Sequence, residues 1–228
     1  MQSIIHKITS LKQHCENNYH VQIPTTKIQF TPNYPPNGTS TENRIVFVQA
    51  DTLITAMQYT HPLVLIFADD VTPGGTWISN CQEEVLFRRS ALCAHLRPTM
   101  YPIHTGELLF ARDVAIFNTN PYDYTQINYN EPIRSLDFVA IPCVRNYNGE
   151  YEVYIVLRDK IRFIYQTCIQ YSYTTIILGA FGCGAYGCNA KQTARVFKEV
   201  QHEFSNHNLT IVYAILGTMY HVFYEEIM

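Results

Sequence analysis

The sequence predicts an α/β domain in three layers, with helices on both faces of a largely parallel sheet. Apolar segments typical of strands alternate with segments of helical periodicity along most of the chain. Such alternation indicates strand-helix-strand crossovers, which favour a parallel sheet covered by helices. Two glycine-containing stretches, at residues 74–75 and 179–187, each follow a predicted strand. Because open α/β sheets bind ligands beyond the carboxyl ends of their strands, this placement predicts a ligand-binding domain.

Composition limits the classes of function. The chain has 228 residues, 47% hydrophobic and 15% charged, which is enough for one large core. A net charge of -3 lacks the broad basic surface that general nucleic-acid binding requires. The seven cysteines include no CxxC pair, so we expect reduced thiols in an intracellular protein, cytoplasmic or nuclear. No apolar run reaches the length of a membrane helix, and no metal or cofactor site is expected, because the histidines lack a ligand spacing.

The first forty residues are predicted to form a helical appendage that packs on the body. Ile4, Ile5, Ile8 and Leu11 have helical spacing, so we expect a helix over residues 3–15 that turns these side chains inward. Residues 31–43 contain three prolines and many small polar residues, which predicts a loop. The border is therefore placed near residue 40, with the appendage at 1–40 and the main domain at 41–228.

The main domain is expected to begin with a strand over residues 44–49 and a helix capped by Asp51. A strand over 63–68 leads into the first glycine loop, and a helix over 82–96 follows it and stops before Pro98. In that helix Arg88 and Arg89 are expected on faces other than the inward one. The inward face would hold Val85, Leu86, Ser90, Leu92 and Cys93.

The remaining elements follow from the same two periodicities. They are strands over 107–110 and 114–118 that form a hairpin or a kinked pair, a surface loop over 119–135, a strand over 138–143, a helix over 155–171, a strand over 174–180, a helix over 191–204 and a strand over 210–216.

The first glycine loop opens into an acidic helix. Gly74 and Gly75 have no Cβ, so the backbone can take positive φ and approach a ligand closely. Ser79 or Asn80 is the expected N-cap, which places Gln82, Glu83 and Glu84 in the first turn. The helix dipole would stabilise these acids for structural reasons alone, but their position beyond a strand end favours a ligand site. Consecutive helical residues point about 100° apart, so Glu83 and Glu84 should have separate tasks.

The second glycine loop places Gly179, Gly182, Gly184 and Gly187 around Phe181 and Tyr186. Its backbone N–H groups could hold a pyrophosphate while the aromatic rings enclose ribose or base. A tight turn with packed aromatic rings is the alternative interpretation. The glycine order differs from the dinucleotide fingerprint, which disfavours a Rossmann dehydrogenase.

Both motifs, in this order, resemble the microbial-type poly(ADP-ribose) glycohydrolases, a macrodomain subgroup. The resemblance rests on the patterns P-G-G-T-x5-Q-E-E and, later, G-A-F-G-C-G-A-Y-G-C-N. It extends over residues 48–216. It implies a macrodomain-like fold and cleavage of ribose-ribose O-glycosidic bonds with release of ADP-ribose. The implied partners are poly(ADP-ribose) or an ADP-ribosylated protein. No membrane partner is expected.

The resemblance also implies roles for individual residues. Glu84 and Glu83 would be the catalytic residues, with Glu84 as the general acid and base and Glu83 holding ribose hydroxyls. The implied ligand-binding residues are Asp69, Gly74, Gly75, Thr76, Gln82, Phe181, Gly182, Cys183, Gly184, Ala185 and Tyr186. Of these, the residues from Gly182 to Tyr186 would embrace the pyrophosphate and the proximal ribose.

Two departures from the family pattern concern the first loop. Thr76 stands in place of a third glycine, and a β-branched residue resists positive φ, so the loop must take an ordinary conformation there or carry strain. Restoring glycine at this position is expected to keep or raise turnover. Asp69 stands where the family usually has asparagine; if it faces the site, it should accept hydrogen bonds from hydroxyls or the adenine amino group.

Other functions remain open at this stage. A hydrolase of mono-ADP-ribose would share the pocket, and a non-catalytic ADP-ribose reader would retain the cleft without efficient chemistry. The complete Gln82-Glu83-Glu84 motif argues against the reader. A structural protein without a ligand leaves two glycine loops at strand ends unexplained.

Overall fold

The computed structural model describes residues 2–31, 42–121 and 127–228. In chain order the elements are α1 (Gln2–Asn17), β1 (Thr26–Gln29), β2 (Arg44–Val48), α2 (Thr52–Ala56), β3 (Leu63–Phe67), α3 (Gln82–Phe87), α4 (Leu92–His95), β4 (Glu107–Ile116), β5 (Arg134–Ile141), α5 (Tyr151–Gln170), β6 (Thr175–Leu178), α6 (Ala190–Glu203), β7 (Thr210–Ala214) and α7 (Met219–Ile227). The strands form one seven-stranded sheet of order β1-β4-β5-β3-β6-β7-β2. The pairs β2-β7, β6-β7 and β3-β6 are parallel and β4-β5 is antiparallel, which confirms the predicted α/β class.

Local signals located most elements. Asp51 caps α2 as predicted, since its Oδ1 accepts from the backbone N–H groups of Leu53 at 2.9 Å and Ile54 at 3.1 Å. The short strand β1 and the helix α7 were not predicted. The first has no buried residue to create an alternating pattern. Helix α7 buries Phe223 and Ile227, which lie one turn apart. This helical spacing is present in the sequence, so α7 was predictable and was overlooked.

The helix predicted over residues 82–96 is instead two short helices, α3 and α4. The segment between them pairs with the end of β4: the Ala91 N–H donates to the Ala115 carbonyl at 2.9 Å, and the Phe117 N–H donates to the Arg89 carbonyl at 2.9 Å. The prediction that Arg88 and Arg89 lie on faces other than the inward one is wrong, because they are only 4% and 0% exposed. Strand pairing distant in sequence has overridden the local helical pattern.

Residues 111–113, predicted to join a hairpin or a kinked pair of strands, lie within one strand, β4, so the hairpin is wrong. The register of β4 against β5 shifts between Ala111 and Val114. Asp113 has φ 56° at this irregularity. The Tyr19 hydroxyl supports it by donating to the Asp113 carbonyl and accepting from the Ala115 N–H, both at 3.3 Å. The chain after α1 is thereby tied to β4.

Backbone contacts divide the chain into two compact units. The first comprises Met1–Ile28 and Ile66–Ile141, and the second Gln29–Leu65 and Pro142–Met228. The predicted border near residue 40 lies outside the described residues and stays a prediction. No helix in the described ranges is long and apolar enough to cross a membrane.

The first unit contains α1, α3, α4, β4 and β5. Helix α1 packs against α4 and buries Ile8, Leu11 and Cys15. The inward orientation predicted for Ile5 is wrong, since its side chain is 52% exposed. The side chain of Ile4 lies outside the described part.

The second unit is built on β2, β7 and β6 in parallel register, with α5, α6 and α7. Helix α6 begins at a side-chain cap, because Asn189 Oδ1 accepts from the Gln192 N–H at 3.1 Å. Aromatic side chains fill this core: the rings of Phe197 and Tyr213 meet edge to face at 5.7 Å, and both residues are fully buried.

Candidate active site

The first glycine loop follows β3 and reverses direction through three left-handed residues. Gly74, Gly75 and Trp77 have φ of 72°, 50° and 67°. Thr76, at the position of the missing third glycine, is not among the residues with positive φ. The loop therefore takes an ordinary conformation at Thr76 and shifts the left-handed turn to Trp77.

Both glycines are required by close packing as well as by φ. A Cβ on Gly74 would lie 2.7 Å from Cδ1 of Phe87, and one on Gly75 would lie 2.8 Å from Oε1 of Glu84. The backbone of Gly75 thus lies directly against the Glu84 carboxylate, for which the resemblance implies a catalytic role.

The side chains that open α3 hold the loop in place. Gln82 Oε1 accepts from the Phe67 N–H at 2.9 Å. Glu83 accepts from two points of the loop, the Asp69 N–H at 2.8 Å and the Gly74 N–H at 3.2 Å. Burial raises the pKa of Glu83 to about 8, against the opposing effect of these two N–H donors. Glu83 is therefore a clamp across the loop.

Glu84 differs from Glu83 in having one unused oxygen. Its Oε1 accepts from the Thr76 N–H at 3.3 Å and the Thr76 hydroxyl at 3.2 Å. Its Oε2 is buried and has no hydrogen-bond partner among the residues that the structure describes. A buried carboxylate oxygen without a partner is costly unless a ligand supplies one.

The N-cap predicted at Ser79 or Asn80 is wrong. Helix α3 begins at Gln82, with Cys81 at the N-cap and no side-chain cap. Ser79 Oγ accepts from the Cys81 N–H at 3.2 Å, so this hydroxyl stabilises the turn before the helix. The glutamates still occupy the first turn, as predicted.

Arg88 is a site-forming residue that sequence reasoning missed. Its Nη1 donates to the carbonyls of Trp77 and Ser79, each at 2.7 Å, and so holds the far side of the loop. The Trp77 indole N–H donates to the Pro73 carbonyl at 3.1 Å, and Lys12 Nζ lies 4.2 Å above the Trp77 ring. No local signal marks Arg88 for this task, because its burial depends on strand pairing distant in sequence.

Asp69 is used by the backbone at the start of the loop. Its Oδ1 accepts from the N–H groups of Val71 at 2.9 Å and Thr72 at 2.8 Å, as aspartate does in tight turns. The side chain is half-buried. Its contact with a ligand remains a prediction.

The second glycine loop, in the other unit, presents free backbone donors. The N–H groups of Gly182, Gly184 and Ala185 have no acceptor within the described part of the chain, and Gly184 and Ala185 are exposed. Consecutive N–H groups in a glycine turn suit a phosphate group. A Cβ on Gly184 would meet nothing within 4 Å, so this position is open toward solvent.

The aromatic residues of this loop differ in their access. Phe181 is fully buried, and the half-buried Tyr186 ring carries the Arg145 guanidinium 3.9 Å from its centroid. The Asn146 N–H donates to the Tyr186 carbonyl at 2.7 Å, which fixes the loop to the segment after β5. Cys183, in the same loop, is also buried.

Comparison with known proteins gives one family and one fold. Residues 4–120 match the model of the microbial-type PARG catalytic domain, PARG denoting poly(ADP-ribose) glycohydrolase. No curated protein matches the chain.

Several solved structures are similar over nearly the whole chain. Poly(ADP-ribose) glycohydrolase from Thermomonospora curvata has a TM-score of 0.80 at 20% identity and covers 99% of this chain and 100% of its own. The same enzyme bound to the inhibitor ADP-HPD has a TM-score of 0.78 at 20% identity, with 99% of both chains covered. The Deinococcus radiodurans glycohydrolase in complex with ADP-ribose has a TM-score of 0.71 at 20% identity, covering 97% of this chain and 91% of its own. At this identity the likeness concerns the fold.

Proposed function

The chain belongs to the microbial-type PARG catalytic-domain family, and from this premise we propose that it hydrolyses poly(ADP-ribose) to ADP-ribose. The observation that carries the proposal is the Glu84 carboxylate: one oxygen is held by Thr76, and the other is buried without a hydrogen-bond partner among the described residues. A group that must exchange a proton with a substrate needs such an oxygen within the site.

Cleavage of the ribose-ribose bond passes through an oxocarbenium-like state, in which the leaving oxygen needs a proton. We assign that donation to the Oε2 position of Glu84, because Oε1 is already engaged by the Thr76 N–H and hydroxyl. The resulting carboxylate then takes a proton from the attacking water, which restores the acid.

Glu83 has a different task from its neighbour. Its two oxygens accept from Asp69 and Gly74, so it fixes the loop that positions Glu84. The ribose contact implied by the resemblance would use the remaining lone pairs of the same oxygens. Glu83 thus acts through the position of the loop and through the bound sugar.

The second loop supports recognition of the diphosphate. Within the ranges that the structure describes, the N–H groups of Gly182, Gly184 and Ala185 have no acceptor, so they are donors suited to phosphate oxygens. With such donors we expect ADP-ribose to bind with a dissociation constant of about 1 µM, equivalent to about -8 kcal/mol.

The seven cysteines are all free thiols, which supports a reducing compartment, cytoplasmic or nuclear.

The test is incubation of the protein with poly(ADP-ribose), followed by chromatographic analysis of the products. Release of free ADP-ribose is the expected result. Release from mono-ADP-ribosylated protein but not from polymer would instead identify a mono-ADP-ribosyl hydrolase. Binding of ADP-ribose without release from either substrate would identify a reader.

A further inference from the structure

Two cysteine thiols lie on either side of Gly182 in the second glycine loop. The sulfurs of Cys143 and Cys188, named here the thiol pair, lie within 3.0 Å of the point where a Cβ of Gly182 would stand. The Cys143 thiol hydrogen-bonds to the Cys188 sulfur, and both residues are buried. The two sulfurs are therefore neighbours, although their residues are 45 positions apart in sequence.

The members of the thiol pair differ chemically. The hydrogen bond from Cys143 lowers the pKa of Cys188 to about 7, against the opposing effect of burial. Burial and the neighbouring Cys188 raise the pKa of Cys143 well above that of an ordinary thiol. In its neutral form Cys188 donates to the Val144 carbonyl at 3.1 Å. Since the thiolate is the nucleophilic form of cysteine, Cys188 is the attacking member and Cys143 the resolving one.

We propose that a hydroperoxide converts Cys143 and Cys188 into a disulfide that weakens ADP-ribose binding at the second glycine loop. The site is a modification site, and its effect on binding rests on the function proposed above. The probe that represents this class of oxidant is hydrogen peroxide.

The chemistry balances in two steps. The Cys188 thiolate attacks one oxygen of hydrogen peroxide and the O–O bond breaks. Hydroxide is the leaving group, and Cys188 becomes a sulfenic acid. The Cys143 sulfur then attacks the Cys188 sulfur, the S–O bond breaks, and the thiol proton leaves with the hydroxyl group as water. The hydroxide of the first step takes a proton from solvent. Two thiols lose two electrons in total, and the peroxide becomes two molecules of water.

The bond would disturb the loop because Gly182 occupies the space beside both sulfurs. A disulfide requires the sulfurs to approach to about 2.05 Å. Gly182 has φ 76°, and the Cys188 N–H donates to its carbonyl at 3.0 Å, so movement of Cys188 is transmitted to Gly182. The unused N–H groups of Gly182, Gly184 and Ala185 would then leave their present arrangement.

The chain offers a matched control pair in the first unit. Cys15 and Cys93 also hydrogen-bond to each other, and that contact with burial raises the pKa of Cys93 well above its ordinary value. A thiol with a raised pKa forms less of the nucleophilic thiolate, so the Cys15–Cys93 pair should react with hydrogen peroxide more slowly than the thiol pair does.

Mass spectrometry tests the modification without reference to activity. The native protein is treated with a small excess of hydrogen peroxide, free thiols are alkylated, and the linked peptides are identified after digestion. We expect a Cys143–Cys188 link before any Cys15–Cys93 link. A sulfenic-acid probe should label Cys188 in Cys143→Ser, whereas Cys143 should stay unlabelled in Cys188→Ser. Absence of the link, or equal oxidation of both pairs, would overturn the proposal.

Calorimetry tests the effect on binding. The dissociation constant of ADP-ribose should rise at least five-fold on oxidation and return on reduction, while peroxide should leave the affinity of Cys143→Ser unchanged. A disulfide that forms without changing affinity overturns the proposal but leaves the proposed function intact. If the reduced protein fails to bind ADP-ribose, the proposed function fails, and the link found by mass spectrometry still decides whether the thiol pair is oxidised.

Discussion

Replacing Gly75 with alanine would place a methyl group 2.8 Å from Oε1 of Glu84, in a backbone of φ +50°. The left-handed conformation alone costs alanine about 1 kcal/mol. The contact is shorter than a carbon and an oxygen tolerate, so the carboxylate must move by several tenths of an ångström. A displacement of about 1 Å in a catalytic group can lower turnover about 10²-fold. We therefore expect Gly75→Ala to lower single-turnover release of ADP-ribose about ten-fold.

Gly106→Ala is the matched control. Gly106 is also left-handed, with φ +83°, and a Cβ there would meet nothing within 4 Å, so the variant carries left-handed backbone strain without a contact. Chemical denaturation should show a loss of about 1 kcal/mol in the free energy of unfolding for Gly106→Ala, and at least as much for Gly75→Ala. Only Gly75→Ala should lose turnover. Equal turnover in the two variants would refute the claim that Gly75 positions Glu84.

Three further predictions concern other parts of the two units. Thr76→Val keeps the shape of the side chain but removes the hydroxyl bonded to Glu84, so turnover should fall several-fold, whereas Thr76→Ser should retain turnover. Because glycine also lacks this hydroxyl, we now expect Thr76→Gly to lower turnover rather than keep or raise it. Gly184→Val should fold normally, because its side chain meets open space, yet calorimetry should show about ten-fold weaker binding of ADP-ribose. Burial lowers the pKa of His95 from 6.5 to about 4, so the unfolded chain takes up the proton first. The free energy of unfolding should therefore fall by up to about 3 kcal/mol as the pH drops from 6.5 through 4. Chemical denaturation at pH 6.5 and at pH 4 should show this loss in the wild type, and His95→Leu should lack the part of it that comes from His95.

The sequence was sufficient where short-range chemistry decides the structure. The cap at Asp51 involves N–H groups two and three residues away, and the apolar periods of the core strands are local. The placement of Glu83 and Glu84 in the first turn of a helix after a glycine loop follows from the same kind of signal. These features give the fold class and the position of the candidate site.

The rest depends on contacts that a sequence pattern does not record. The residues Arg88 and Arg89 are buried because the backbone between α3 and α4 pairs with the distant strand β4. The left-handed residue after the two glycines is Trp77 and not residue 76. The Trp77 carbonyl accepts from Arg88, and its indole N–H donates to the Pro73 carbonyl. Likewise, the clamp formed by Glu83 is visible only once the loop is folded.

Single-turnover cleavage of poly(ADP-ribose) by wild type and Glu84→Gln tests the assignment of Glu84 most directly. Glutamine keeps the shape and can still accept from Thr76, but it cannot cycle a proton between leaving group and water. We expect release of ADP-ribose to fall about 10²-fold or more, with the affinity for ADP-ribose nearly unchanged. Cleavage by Glu84→Gln at the wild-type rate would contradict the assignment of Glu84 as the general acid.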